Sequence, residues 1–387
     1  MQPIVTYLEY NNTFLLMKGK DPMSSRSFFY PTEDTPVHKE QFEQESFINA
    51  KAAEALRDFA EESSIGLVGL ETRTVFEQFE RRYPDLLDAL RWFIDQERTD
   101  DALRLAISLA QFWMATKRLE DGTAWFDRVL NASGGQDIYR GEAFFQAGLL
   151  SFWQGNDDLA TALHNHALEI GRRAGNATII AEALTGLARI ALRSDLHEAR
   201  RLCQEALVVT EGTADQRGRS NATHVLGVVA QMAGDFQEAR TLMNARIAQA
   251  RAMGNFRVIS SEAGNLSMVE RQLGNFNQAE VLAAEALKID HRRGDHWAMP
   301  YKVSGLAAVS TERREYDRAA TLVGIADAMM EAEKADWPPD EWPHYERMVT
   351  ILKNAMGTDV FERTRTIGYA MTIAEAVNFA LQPIVLS

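Results

Sequence analysis

The chain of 387 residues contains a single cysteine, Cys203, so no internal disulfide can form. A lone thiol fits a reducing compartment, and the cytoplasm is the expected location. Nowhere do 18 or more apolar residues follow one another, which on sequence grounds excludes a transmembrane helix. The opening MQPIVTYLEYNNTFLLMKGK lacks a basic start leading into an apolar core and a small-residue cleavage site, so no export signal is read there. Basic residues are short as well. Lys and Arg number 41 against 55 Asp and Glu, a formal net charge of −14. A surface that acidic repels phosphate backbones, and direct binding of nucleic acid is not expected.

Reaction chemistry is equally scarce. No Gly-x-Ser-x-Gly elbow, no His-Glu-x-x-His and no isolated carboxylate pair stands out from the background. The only Gly-Lys, Gly19-Lys20, follows Met17-Lys18, precedes Asp21 and lacks the glycine six residues before the lysine that a phosphate-cradling loop needs. No helix-turn-helix with a basic recognition helix is visible. His164 and His166 stand two apart, which on a helix sends them to different faces. His291 and His296 flank Gly294-Asp295 without a third ligand, so no metal and no other cofactor is expected.

What the sequence does have is a repeat. GNDDLA (155–160), SDLHEA (194–199), GDFQEA (234–239), GNFNQA (274–279) and REYDRA (314–319) place Ala160, Ala199, Ala239, Ala279 and Ala319 at steps of 39, 40, 40 and 40 residues. A second turn signal runs in phase: Gly175-Asn176, Ala214-Asp215, Gly254-Asn255, Gly294-Asp295 and Ala335-Asp336. Two turns per period leave two helix-length segments, the mark of a helical-hairpin array. The segments are rich in Ala, Leu, Glu, Arg and Gln, and their apolar residues recur at three and four, as in Ala239, Leu242, Met243, Ile247 and Ala250. Gly followed by Asp or Asn ends one helix and caps the next. One hairpin cannot bury its apolar face alone, so the hairpins are expected to stack into a right-handed, all-α solenoid. Cys203 occupies a second-helix position held by His164, Met243, Ala283 and Val323 in other copies, and reads as a buried, inert thiol.

Leu226, Gly227, Gly234, Phe236 and Ala239 match the Leu-Gly…Gly-Asp-Tyr…Ala pattern of the tetratricopeptide repeat. The long period resembles the sensor arrays of MalT-like, ATPase-type bacterial transcriptional regulators. Leu109, Ala110, Trp113 and Gly122 form a weaker earlier copy, and LRWFI (90–94) before ALRLAISLAQFW (102–113) resembles the opening of such arrays. Residues 75–106 read as helices with a break at Pro84. The run 318–381 is similar to their closing helices. The expected domains are an irregular arm over 1–45, with Pro22, Pro31 and Pro36, an array over 46–335, and capping helices over 336–387.

In tetratricopeptide arrays the first helix of each pair lines the inner groove. Carrying its offsets over points to Phe145, Phe152 and Trp153 at one end and to Asn221, His224, Gln231, Met268, Arg271 and Tyr301 toward the other. Aromatic area with a few placed polar groups suits an amphipathic guest. Taken singly, each of Phe145, Phe152 and Trp153 fits better as core between stacked hairpins than as a ligand contact. The function expected is a non-enzymatic sensor or adaptor whose groove takes a peptide, a partner protein or a small effector, in transcriptional or signalling regulation. An enzyme working on a small molecule inside the solenoid is the alternative. An exposed terminal face would also permit homo-oligomers.

Overall fold

The computed structural model describes residues 48–70, 72–213, 216–333, 335–337 and 341–382. The expected arm over 1–45 and the turn at Ala214-Asp215 lie outside the described residues. Seventeen helices and no strand are found among those described. In order they are α1 (Ala50–Gly66), α2 (Thr72–Asp95), α3 (Thr99–Ala115), α4 (Leu119–Asn131), α5 (Asp137–Trp153), α6 (Asp157–Ala174), α7 (Ala177–Ala191), α8 (Leu196–Val209) and α9 (Gln216–Ala233). Then come α10 (Phe236–Ala252), α11 (Phe256–Gln272), α12 (Phe276–Arg293), α13 (Met299–Glu312), α14 (Tyr316–Ala332), α15 (Trp342–Met356), α16 (Thr358–Tyr369) and α17 (Ile373–Ala380). The chain is an all-α solenoid fold of stacked hairpins, and it falls into two compact units. One lies within 48–67 and 74–222, the other within 68–73 and 223–382.

The turns work as the sequence suggests. Gly175 and Gly254 take the left-handed conformation, φ +63° and +64°, which an L side chain resists. The next residue then caps the following helix: Asn176 Oδ1 accepts from Ile179 N at 3.1 Å, and Asn255 Oδ1 from Val258 N at 3.0 Å. The repeated alanines are all fully buried, which lets paired helices approach closely. At the other turn of the period Arg314 stands where Gly155, Gly234 and Gly274 stand in other copies and still holds φ +63°, so the geometry is imposed by the flanking helices. Pro84 does not break its helix. Thr72–Asp95 is continuous through it, because Phe79, Leu86, Ala89, Leu90 and Phe93 are all fully buried on either side. Their packing outweighs the backbone hydrogen bond that the proline deletes, a cost of roughly 3 kcal/mol.

In the first unit, α5, α6 and α7 pack around one histidine. His164 is fully buried, and a Cβ added to Gly148 or to Gly186 would lie 2.5 Å from its ring. Both glycines therefore exist to admit a flat imidazole. Burial, with Arg189 nearby, drives the His164 pKa down to about 3 from 6.5. A depressed histidine is neutral in the fold, so the unfolded chain takes up a proton that the native chain refuses. The stability it contributes is complete above pH 6.5 and is lost as pH falls toward 3. Between pH 7 and pH 5 the urea midpoint should report a loss of about 2 kcal/mol that the non-titrating His164→Asn variant does not share. Equal pH slopes in both proteins would contradict the assignment. Cys203 is likewise fully buried, its thiol pushed up to about 12 by burial.

In the second unit, α12 to α14 and α15 to α17 share one core that includes Leu287, Leu306, Val323, Leu352 and Phe361. Asp327 on α14 ties the last helices down. Its carboxylate accepts from Tyr345 Oη at 2.7 Å and from Arg365 Nε at 2.6 Å, and Trp337 Nε1 lies 3.4 Å away. Burial and the neighbouring Asp327 raise the Tyr345 phenol above its ordinary value, so it stays protonated and donates.

Candidate functional site: a cleft bounded by α11, α13 and α15

Three helices of the second unit enclose an open cleft of ≈350 Å3. α11 presents Gly264, Ser267, Met268 and Arg271, which at offsets of three and four share one face. Tyr301, Gly305, Ala308 and Glu312 do the same on α13. The far wall is α15, with His344, Tyr345, Met348 and Ile351, approached by Trp337 and Glu341.

The wall is largely aromatic. Trp337 meets Tyr301 edge-on, with ring centres 5.7 Å apart, and stacks on Tyr345 at 4.8 Å. Trp342 continues the stack from Tyr345 at 5.6 Å. The floor is small: among the described residues, nothing lies within 4 Å of where a Cβ on Gly305 would sit. Gly264 differs, since a Cβ there would meet Lys302 Nζ at 2.7 Å. Lys302 is buried, 4% exposed, and its ammonium faces Asp290, whose carboxyl accepts from Ser260. Burial pushes Asp290 up to about 7 despite the cations beside it.

Charge on the rim is mixed. Arg271 Nη1 lies 3.4 Å from Glu312 Oε1, with side-chain exposures of 20% and 49%. Burial holds the Arg271 guanidinium below its usual value, although Glu312 and Glu341 oppose the shift. Burial first, then Arg271 and Arg347, lower His344, so the imidazole is neutral at pH 7.

Of the residues singled out from sequence, the cleft brings together Met268, Arg271 and Tyr301. Phe145, Phe152 and Trp153 belong to α5 in the first unit and are 3%, 1% and 8% exposed. Phe145 packs on the His164 ring at 5.6 Å, and Phe152 has the Arg193 guanidinium 4.3 Å from its ring centre. Asn221, half-buried, is on α9, as are His224 and Gln231, which are buried at 1% and 7%. His224 shares the carboxylate of Glu262 with Arg246. Sequence reasoning missed Gly305 and the α15 wall. The sequence did carry a signal for each. Gly227 stands twelve residues before Ala239, whereas Gly305 stands fourteen before Ala319, off the register of the packing glycine. Trp337, Trp342 and Tyr345 are three aromatics within nine residues.

Residues 263–293, which include most of α11 and all of α12, match the family model of the tetratricopeptide repeat. With the stacked hairpins, this makes the fold that of a tetratricopeptide-like helical solenoid. No curated protein matches it. Among solved structures it is similar to a signal transduction ATPase with numerous domains that carries a tetratricopeptide repeat sensor, from Pyrococcus horikoshii. That likeness has a TM-score of 0.52 at 12% identity over 86% of this chain, which spans 55% of that one. NprR in complex with its cognate peptide NprX is similar at TM-score 0.48 and 13% identity, over 78% of this chain and 92% of that one. A Rap protein complexed with competence and sporulation factor gives 0.48 at 14% identity, over 84% and 98%. At such identities the likeness concerns the fold. No described helix is long and apolar enough to cross a membrane.

Proposed function

We propose that the chain is a non-enzymatic recognition module, a cytoplasmic sensor or adaptor in transcriptional or signalling regulation. Its cleft between α11, α13 and α15 receives a short peptide or a segment of a partner protein. Gly305 is the observation that carries this reading. Glycine inside a helix costs about 0.5–1 kcal/mol relative to alanine. Gly148 and Gly186 have a reason in His164, and Gly264 in Lys302. Among the described residues Gly305 has no such neighbour, and the room it leaves is open to a guest. The volume, ≈350 Å3, suits two or three side chains or a small effector. Met268, Arg271 and Tyr301, with Trp337 and Tyr345, are the proposed contacts.

The test is affinity selection from a solution library of random octapeptides, with captured peptides sequenced by mass spectrometry. Gly305→Phe fills the cleft from a position where no described residue stands in the way, and should weaken the selected peptides at least tenfold. Gly305→Ala should bind within about twofold of the parent and gain about 0.5–1 kcal/mol in stability. Peptides indifferent to Gly305→Phe would remove the cleft from consideration.

A further inference from the structure

We infer that the occupant of this cleft presents a carboxylate beside an apolar side chain. Arg271 and Arg347 receive the carboxylate, and the wall of Tyr301, Trp337 and Tyr345 receives the apolar group. This rests on the reading of the cleft as a peptide site.

Several arginines of the second unit are held closely by carboxylates. Arg313 lies 2.6 Å from Glu280, Arg365 2.6 Å from Asp327, and Arg251 2.6 Å from Glu285. Arg271 is different. Among the described residues its one hydrogen-bonding contact is Glu312, at 3.4 Å, and most of its five N–H donors are unused there. Arg347, on the opposite wall, makes no hydrogen bond or ion pair among the described residues and is exposed. The two guanidinium groups act on the same His344, which places their fields in one space. Apart from Lys302, which faces Asp290, the cleft sets Arg271 and Arg347 against Glu312 and Glu341, a local balance of charge in a chain of net −14.

A half-buried guanidinium in an aromatic-walled cleft has lost hydration without gaining a good partner. A planar carboxylate restores that loss through two parallel N–H···O bonds, which strengthen as water is excluded. A cationic guest would have to desolvate beside Arg271 and Arg347 with only the rim carboxylates in return. An uncharged apolar guest would bury Arg271 further with nothing to pair it.

The carboxylate can come from Asp or Glu, or from a peptide C-terminus, and the experiment separates the two. Octapeptides recovered by the selection above are made as fluorescein conjugates and titrated by anisotropy against the full chain. Each is compared with a version carrying Asn or Gln for its acids and with a version amidated at the C-terminus. One of the two changes should weaken binding to the parent protein at least tenfold, and binding to Arg271→Gln less than twofold. Arg271→Lys, which keeps the charge but not the planar fork, should fall between them. Peptides that depend on Gly305 yet bind equally well with every carboxylate neutralised would overturn the inference and leave the cleft standing. Peptides insensitive to Gly305→Phe would instead defeat the reading of the cleft itself.

Discussion

Replacing Gly368 with alanine should release the last three helices from the array. At the crossing of α14 and α16 the two backbones touch. A Cβ on Gly368 would lie 1.9 Å from the carbonyl oxygen of Thr321, and a Cβ on Gly324 would lie 1.9 Å from that of Arg365. The contact is reciprocal, and the obstructing atoms are backbone, which cannot rotate aside. Alanine is the better helix former by up to about 1 kcal/mol, so helix propensity favours the substitution. The clash outweighs it. Separating the helices enough for a methyl group would unseat Phe361, Leu352 and Met348 from Leu322 and Ile325, and would stretch the Asp327–Arg365 pair. A loss of about 3–5 kcal/mol is expected for either glycine. Hydrogen exchange is the discriminating measurement: amides of α15–α17 should lose protection while those of α11–α13 keep it. Because α15 is one wall of the cleft, peptide binding should be lost with it. A variant melting within about 1 kcal/mol of the parent would show that the crossing relaxes at little cost.

The array was legible in the sequence because its signals are local. Small residues at a fixed step mark close helix approach, and Gly followed by Asn or Asp marks both the end of one helix and the cap of the next. Both are properties of a few consecutive residues. What escaped depends on tertiary pairing. An aromatic at a first-helix offset reads the same whether a neighbouring hairpin or a guest covers it. Phe152, Trp153 and Tyr301 are all covered from within, at 1%, 8% and 3% exposed, and Tyr301 also borders the cleft. The partner of His224 is a carboxylate 38 residues away, which no spacing rule joins to it. Pro84 suggested a boundary, and the buried side chains on both sides of it decided otherwise. The wall supplied by α15 lies beyond the last clear repeat, where the period gives no offset to carry over.

The other large effect is expected at Glu262. This carboxylate, on α11, takes the His224 ring from α9 and the Arg246 guanidinium from α10 on the same oxygen, and all three side chains are 0–1% exposed. An ionised carboxylate only accepts, so His224 must offer Nδ1 as a donor. Truncation by Glu262→Ala leaves the Arg246 charge in the interior without the carboxylate it faces, at an expected cost of about 3–5 kcal/mol. Glu262→Gln keeps the shape and an acceptor but not the charge, and should cost less than truncation. The informative comparison is the triple change His224→Leu, Arg246→Met and Glu262→Leu, which removes all three polar groups together. If the desolvation of three polar groups nearly offsets their mutual attraction, that variant should lie within about 2 kcal/mol of the parent even though truncation of Glu262 alone costs more. Chemical denaturation of the four proteins decides the matter. A triple variant as unstable as Glu262→Ala would mean that the charged set contributes net stability. A stable triple variant would mean that these groups serve to align three helices in one register, which peptide binding at the adjoining cleft would then report as weakened affinity in a protein that still folds.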